Sequence, residues 1–150
     1  MGEKKTIINK KAKFEYAILE GVEAGMVLSG AEVKSLRLGR GSLNEAFVRL
    51  TNGEAFLVNA NIPGYKYADL TEYEPTRSRK LLMSRKELAA LGAKLKSGNY
   101  SLVPLKIYPK GRVLKLLVGL GRGKKQYEKR EVIKRRDLER EAQREAKGRS

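Results

Sequence analysis

The lysine and arginine side chains of the C-terminal segment have the residue types and spacing to bind a polyanion. Residues 122–150 contain 12 Lys or Arg and 6 Asp or Glu, and Tyr127, Val132, Ile133 and Leu138 are almost the only large apolar side chains. Such a segment buries too little apolar surface to offset the entropy lost on ordering. We therefore expect a basic tail that is disordered or inducibly helical and that folds on a polyanion, above all RNA.

Tyr127 lies inside the charged run KKQYEKR, where stacking on a nucleobase explains an aromatic ring best. Two other interpretations of the tail are a disordered solubilising extension and a helix on an anionic membrane. The membrane interpretation is the weaker one, because the apolar residues are too few to form a stripe and glutamates are mixed among them.

The rest of the chain is basic as well. The 150 residues contain 33 Lys or Arg and 17 Asp or Glu, for a net charge of +16, of which the tail contributes +6 and the remaining residues +10. A basic body attracts phosphate backbones, and its affinity for them falls steeply with salt. A surface that is charged only for solubility is disfavoured, because the excess has one sign.

The composition argues against catalysis. The chain has no His and no Cys, which excludes a Ser-His-Asp triad, a thiolate nucleophile and a His-type zinc site. The glycine-rich run 119–125 does not fit a phosphate-binding loop, since Val118 stands where the first Gly is needed and Lys125 replaces the Ser or Thr. We expect no enzyme activity, metal or cofactor, and we interpret this run as a flexible hinge before the tail.

The N-terminal residues do not form a signal peptide, because lysines occupy the region where an apolar run should stand. No stretch of the sequence approaches the length of a membrane span. We therefore expect a cytoplasmic protein without a membrane partner.

The elements expected to position the basic residues are mainly strands. Alternation predicts a strand over 13–19, and the glycines of 21–25 predict a turn or bulge after it. Asn52-Gly53 separates two alternating runs, 46–50 and 54–58, and predicts a β-hairpin.

Two helices and two more strands follow from the remaining pattern. Residues 31–38 have helical spacing and end at Gly39, and a capping box at Ser84 predicts a helix to about Lys96. Strands are predicted over 100–108 and 113–120, with Pro104 on an edge or at a bulge.

These elements favour a mainly β fold, a small closed antiparallel barrel of oligonucleotide-binding type with flanking helices. The predicted division is a barrel over residues 1–121 and a basic tail over residues 122–150.

Two groups of cations have two interpretations each. Arg77 and Arg79 lie on one face if 75–82 is a strand, and RNA contact and an exposed edge protected by charge are equally favoured. Lys34 and Arg37 on the predicted helix either face a phosphate backbone or lie on a salt-bridged surface, and sequence chemistry alone favours the second.

Four motifs follow one another along the chain: GAEVKSLRLG (30–39), PTRSRKLL (75–82), LVPLKIY (102–108) and GRGKKQYEKR (121–130). Their order and spacing resemble the tmRNA-binding small protein B family, the bacterial SsrA-binding proteins, and NKKAKFEY (9–16) fits the start of that family. The resemblance covers essentially the whole chain from Asn9.

The resemblance implies a barrel that binds the tRNA-like domain of tmRNA and carries it to stalled ribosomes for trans-translation, which rescues the ribosome. It also implies a tail that probes the empty mRNA channel near the decoding centre of the small subunit, and elongation factor Tu as a partner in delivery. We expect the protein to act as a monomer. The alternative is a generic barrel that binds structured or single-stranded RNA.

The resemblance also implies site residues, position by position. Asn9, Glu23 and Leu82 match family positions implicated in tmRNA binding. Further RNA contacts are expected in the same motifs, at Lys10, Lys11, Lys34, Ser35, Arg37, Arg77 and Lys80. The expected ribosome-binding residues of the tail are Lys124, Lys125, Tyr127, Lys129 and Arg130. Many relatives have His in place of Tyr127 and Asp in place of Glu128, changes that keep the aromatic and acidic character.

Overall fold

A computed structural model describes residues 5–65 and 72–124, which contain seven strands and three helices. The strands are β1 (Ile7–Ile8), β2 (Tyr16–Met26), β3 (Phe47–Thr51), β4 (Glu54–Val58), β5 (Arg79–Leu82), β6 (Ser101–Lys110) and β7 (Val113–Gly123). The helices are α1 (Ala12–Glu15), α2 (Gly30–Arg37) and α3 (Arg85–Lys96). All strand pairs are antiparallel, and the order in the sheet is β1-β6-β7-β2-β5-β4-β3.

The mainly β architecture with few helices is as predicted, but the sheet is not a closed barrel. β1 and β3 are its two ends, and no ladder joins them in the part of the chain that the structure describes. β3 packs against β6 instead. The physical reason is the length of β1: it has two residues, Ile7 and Ile8, so its free edge can offer at most a two-residue ladder to close the sheet.

The predicted hairpin is confirmed as β3 and β4. Thr51 pairs with Glu54, and the two residues between them, Asn52 and Gly53, have φ of 51° and 74°. A two-residue turn whose central residues both have positive φ matches the right-handed twist of the strands, and Asn-Gly is the pair that adopts it most readily.

The expected first strand and the turn after it are wrong in detail. Residues 13–15 belong to α1, and β2 continues through 21–25 without a turn. β7 pairs with β2 from Tyr16 to Gly25, so the ladder outweighs the local preference of the glycines. The irregularity in β2 is a register shift between Ile18 and Glu20.

Residues 119–123 of the glycine-rich run belong to β7, which corrects the expectation of a hinge there. Gly119, Gly121 and Gly123 lie in β7, and Gly123 pairs with Tyr16. A Cβ at Gly119 would stand 2.8 Å from Cδ1 of Leu105, so glycine allows a close approach between β6 and β7 there. The Pro104 prediction is confirmed, because β6 shifts register between Pro104 and Lys106.

Alternation along the strands gives the sheet an inner and an outer face. Ala24, Leu81 and Leu116 point inward, into a core that also contains Leu36 of α2 and Leu91 of α3. The residues between them point outward, and many of these are lysines. The fold therefore presents basic side chains from several strands on one surface.

A buried ion pair fixes α2 against this sheet. The side chains of Glu32 in α2 and Arg79 in β5 are both 0% exposed; Oε2 of Glu32 accepts a hydrogen bond from Nε of Arg79 at 2.8 Å and lies 2.7 Å from Nη2 of the same guanidinium group. Arg79 also donates to the carbonyl oxygens of Ala60 and Pro75, at 2.6 and 2.8 Å. Arg79 thus lies neither on an exposed edge nor on an RNA-binding face, and both interpretations of its position are wrong.

Glu32 has further partners that keep it ionised. Its Oε1 accepts hydrogen bonds from Nη2 of Arg77 and, at 2.9 Å, from the backbone N–H of Ser29. Burial alone would raise the pKa of Glu32, but the hydrogen bonds from Arg77, Ser29 and Arg79 outweigh burial and lower the pKa from 4.5 to about 2.

We expect Glu32→Gln to lower the free energy of unfolding by about 3–5 kcal/mol, because two guanidinium groups lose their anionic partner and that of Arg79 is fully buried. Urea unfolding followed by circular dichroism measures this loss. Glu54→Gln is the matched control, since Glu54 is 53% exposed and pairs with Lys80 at 3.4 Å. The control should lose less than about 1 kcal/mol, and equal losses in the two variants would contradict the role given to Glu32.

The same carboxylate predicts a pH dependence. Because folding lowers the pKa of Glu32, its contribution is complete above pH 4.5 and declines as the pH falls toward 2. The decline amounts to roughly 3 kcal/mol at 1.36 kcal/mol per pKa unit. Unfolding at pH 7, 5, 4 and 3 should show a weaker acid dependence in Glu32→Gln than in the wild type, while Glu54→Gln keeps the wild-type dependence. Equal slopes in Glu32→Gln and the wild type would refute the assignment.

Candidate nucleic-acid interface

The outer face of the sheet gathers basic, aromatic and apolar side chains from four strands. The register places Leu82 of β5 beside Gly25 of β2, Gly25 beside Lys115 of β7, and Lys115 beside Tyr108 of β6. The next row on the same face joins Glu23, Leu117 and Lys106. We call the following set the outer-face cluster: Glu23, Leu82, Lys106, Tyr108, Lys110 and Lys115.

Glu23 is the single carboxylate of this cluster, and it has two partners. Its Oε2 accepts a hydrogen bond from the hydroxyl of Tyr108, and Nζ of Lys110 donates to Oε1 at 3.0 Å and to Oε2 at 3.3 Å. The hydrogen bonds from Tyr108 and Lys110 lower the pKa of Glu23. Burial and the bond to Glu23 raise the pKa of Tyr108 to about 12, so the phenol stays protonated at neutral pH.

The remaining members of the cluster suit contact with nucleic acid. Nζ of Lys106 lies 5.2 Å from the ring centroid of Tyr108, a cation–π distance. The ammonium group of Lys115 lies over Gly25, 3.7 Å from where a Cβ would stand. Leu82 is 54% exposed beside the same glycine. An exposed apolar side chain among ammonium groups can contact a base while the cations contact phosphates.

Helix α2 presents a second group of predicted residues. Lys34 is exposed, with Nζ 5.2 Å from the ring centroid of Tyr65, and Arg37 is exposed and donates from Nη2 to the carbonyl oxygen of Arg112 at 2.6 Å. Ser35 is fully buried, and its hydroxyl donates to the carbonyl oxygen of Pro63 at 2.7 Å. Lys34 and Arg37 are therefore accessible to solvent, while Ser35 binds the connection between β4 and β5.

The N-terminal residues form a third group. Asn9 is 6% exposed, and its Nδ2 donates to the carbonyl oxygen of Pro104 at 2.8 Å, while Oδ1 is buried without a hydrogen-bond partner in the described residues. Lys10 is exposed, and Lys11 pairs with Glu45 at 2.7 Å. A hydrogen bond and the charge of Glu45 raise the pKa of Lys11.

Lys124, at the end of the described residues, joins this N-terminal group. Its Nζ donates to the carbonyl oxygen of Lys13 at 2.6 Å, and its backbone N–H donates to the carbonyl oxygen of Glu15 at 2.8 Å. These bonds fix the start of the tail beside α1. A hollow of about 700 Å³ lies next to them, with Tyr16, Lys106 and Leu117 among its lining residues.

The structure thus brings some predicted residues together and separates others. Glu23 and Leu82 share the outer-face cluster, and Lys80 lies on the same face, paired with Glu54 at 3.4 Å. Arg77 is committed mainly to Glu32, with its side chain 37% exposed. The predicted residues Lys125, Tyr127, Lys129 and Arg130 lie outside the described residues.

Sequence reasoning did not assign the basic residues of β6 and β7 to the site. The segments that contain Lys106, Tyr108, Lys110 and Lys115 were assigned only as strands, on the basis of their apolar residues. The signal was present as period-two alternation, since Lys106, Tyr108 and Lys110 are separated by Ile107 and Pro109.

Two further observations concern the ranges 5–65 and 72–124. They contain no group of three or more His, Cys, Asp or Glu side chains arranged to hold a metal ion. None of their helices combines the length and the apolar character that crossing a membrane requires.

Comparisons with known sequences agree on one family. Residues 6–148 match the family model described as SmpB protein. An SsrA-binding protein of Shouchella clausii is 48% identical over 141 residues, which are 94% of this chain and 90% of the relative. An SsrA-binding protein of Enterococcus faecalis is 46% identical over 147 residues, 97% of this chain and 96% of the relative.

A solved structure agrees with the sequence comparisons. A chain from the structure described as "tmRNA-SmpB: a journey to the center of the bacterial ribosome" superposes with a TM-score of 0.67 and 43% identity, over 81% of this chain and 85% of that chain. Sequence and fold lead to the same assignment, and this chain belongs to the SmpB protein family.

Proposed function

We propose that this chain is an SsrA-binding protein that binds the tRNA-like domain of tmRNA and delivers it to stalled ribosomes for trans-translation. The observation that carries the proposal is 48% identity to an SsrA-binding protein over 94% of the chain. The solved relative on the ribosome is described as tmRNA-SmpB, which supports the same RNA and the same assembly.

The mechanism is binding, without catalysis. Lysines on the outer face of the sheet and on α2 meet the phosphate backbone of a folded RNA, and the surface recognises its shape. Leu82 supplies an exposed apolar contact beside Gly25. Residues 1–121 act as the RNA-binding body, of oligonucleotide-binding type, and residues 122–150 as the tail.

The tail enters the vacant mRNA channel of the small subunit and reaches the decoding centre. Lys125, Tyr127, Lys129 and Arg130 make its contacts there, and Lys124, which precedes them, stays bonded to the body. The anchoring of Lys124 to Lys13 and Glu15 supports this geometry, because it gives the tail a fixed starting point on the body. Elongation factor Tu joins the delivery complex, and the protein acts as a cytoplasmic monomer.

Selective RNA binding is the first testable consequence. Binding to the isolated tRNA-like domain should resist competition by an unrelated tRNA and should persist at moderate salt. Fluorescence anisotropy with labelled tRNA-like domain at about 50 and 200 mM salt measures both properties. Equal competition by tRNA, together with loss of binding at the higher salt, would replace this proposal with generic RNA binding driven by charge.

Truncation separates the two parts. We expect a chain that ends at Lys124 to bind the tRNA-like domain within about tenfold of the full chain, equivalent to about 1.4 kcal/mol, and to fail in tagging stalled peptides in a translation extract. The cut follows Lys124 because β7 continues to Gly123 and pairs with β2 there. A larger loss of RNA affinity, or retained tagging, would contradict the division of labour.

A further inference from the structure

Glu23 presents an electrostatic problem in an RNA-binding surface. A carboxylate repels phosphate, and a basic surface without this group would attract RNA more strongly by charge alone. Yet Glu23 lies within the outer-face cluster, where Lys110 donates to it and where Lys106 of β6 and Lys115 of β7 share its face of the sheet. Its partners show what else it does there.

Glu23 accepts hydrogen bonds from two side chains of β6, Tyr108 and Lys110. β7 lies between β2, which carries Glu23, and β6, which carries Tyr108 and Lys110, so the hydrogen bonds of Glu23 reach across an entire strand. The phenol hydrogen of Tyr108 is directed to Glu23, and the ammonium group of Lys110 is held at 3.0 Å from Oε1. Without the carboxylate, both side chains would be free to take other rotamers.

The fixed positions favour a ligand with phosphates and flat bases. Tyr108 has Lys106 5.2 Å from its ring centroid and Lys115 opposite it in the register. Lys110 remains 63% exposed although it is paired. An aromatic ring held among three ammonium groups matches the alternation of base and phosphate along an RNA strand.

We propose that Tyr108, Lys110 and Lys115 form an RNA-contact surface and that Glu23 is its positioning residue, which orients Tyr108 and Lys110 rather than contacting RNA. This inference rests on the proposed function for the identity of the RNA, the tRNA-like domain of tmRNA. The class of ligand, one with phosphates and flat bases, is argued from the cluster itself.

The experiment is a mutant cycle read by affinity for labelled tRNA-like domain. The variants are Glu23→Ala, the pair Tyr108→Phe with Lys110→Met, and all three changes together. Glu23→Ala and the paired variant should each weaken binding about five- to tenfold. The triple variant should be within about twofold of the paired variant, because the partners of Glu23 are already lost.

Glu20→Ala is the matched control. Glu20 lies on β2 as well and pairs with Lys94 at 2.7 Å, so its removal changes the net charge by the same amount at a site away from the cluster. The control should bind RNA as well as the wild type or slightly better. Lys115→Met should weaken binding and reduce the slope of log K against log salt by about one.

Two outcomes would overturn the inference. Undiminished binding by Glu23→Ala would mean that its hydrogen bonds do not serve RNA contact, and losses that multiply in the triple variant would mean that Glu23 contacts RNA directly. Circular dichroism and urea unfolding of each variant separate these effects from loss of structure. If the wild type does not prefer the tRNA-like domain to tRNA, the proposed function fails, and the same cycle measured with tRNA still decides this inference.

Discussion

The buried pair of Glu32 and Arg79 is the interaction on which the arrangement of the surface depends. Glu32 caps α2 through Ser29 and, with the same carboxylate, binds Arg77 and Arg79, so one side chain joins the helix to β5 and to the residues that precede it. Arg79 in turn holds the carbonyl oxygens of Ala60 and Pro75. Because burying two charges is costly unless every hydrogen bond is made, this network tolerates few alternative positions of α2 relative to the sheet.

The carboxylate on the outer face, that of Glu23, differs from the carboxylate of Glu32 in exposure and in role. Glu32 is inaccessible and stabilises the fold, whereas the side chain of Glu23 is 33% exposed and accepts hydrogen bonds from Tyr108 and Lys110. Solvent screening makes an exposed pair worth little to stability. We therefore infer that Glu23 acts by restricting the rotamers of Tyr108 and Lys110. This restriction lowers the entropy that those side chains would lose when a ligand binds them.

Local chemistry was sufficient for the elements whose conformation is set within a few residues. The Asn52-Gly53 hairpin, the helix that begins after Ser84 and the bulge at Pro104 all follow from short-range rules. The predictions failed where pairing or contact with a segment distant in sequence determines the conformation. The glycines of β2 and β7 predicted a turn and a hinge, but the two strands pair along most of their length. Arg79 was expected at a surface because its partner, Glu32, is 47 residues away in the chain.

In the candidate site, too, some residues could be predicted from the sequence and others depend on contacts between distant strands. Motif resemblance led to Glu23 and Leu82, but it gave no reason for an acid in a basic surface; we infer the reason from the hydrogen bonds that Tyr108 and Lys110 of β6 donate to Glu23. Charge alone gives affinity for any polyanion, and a net charge of +16 supplies much of it. Selectivity must therefore come from geometry, and the same hydrogen bonds that reduce the positive charge of the surface give it a defined shape. A carboxylate that costs some affinity for RNA in general can increase the preference for one RNA whose phosphates match the fixed ammonium groups.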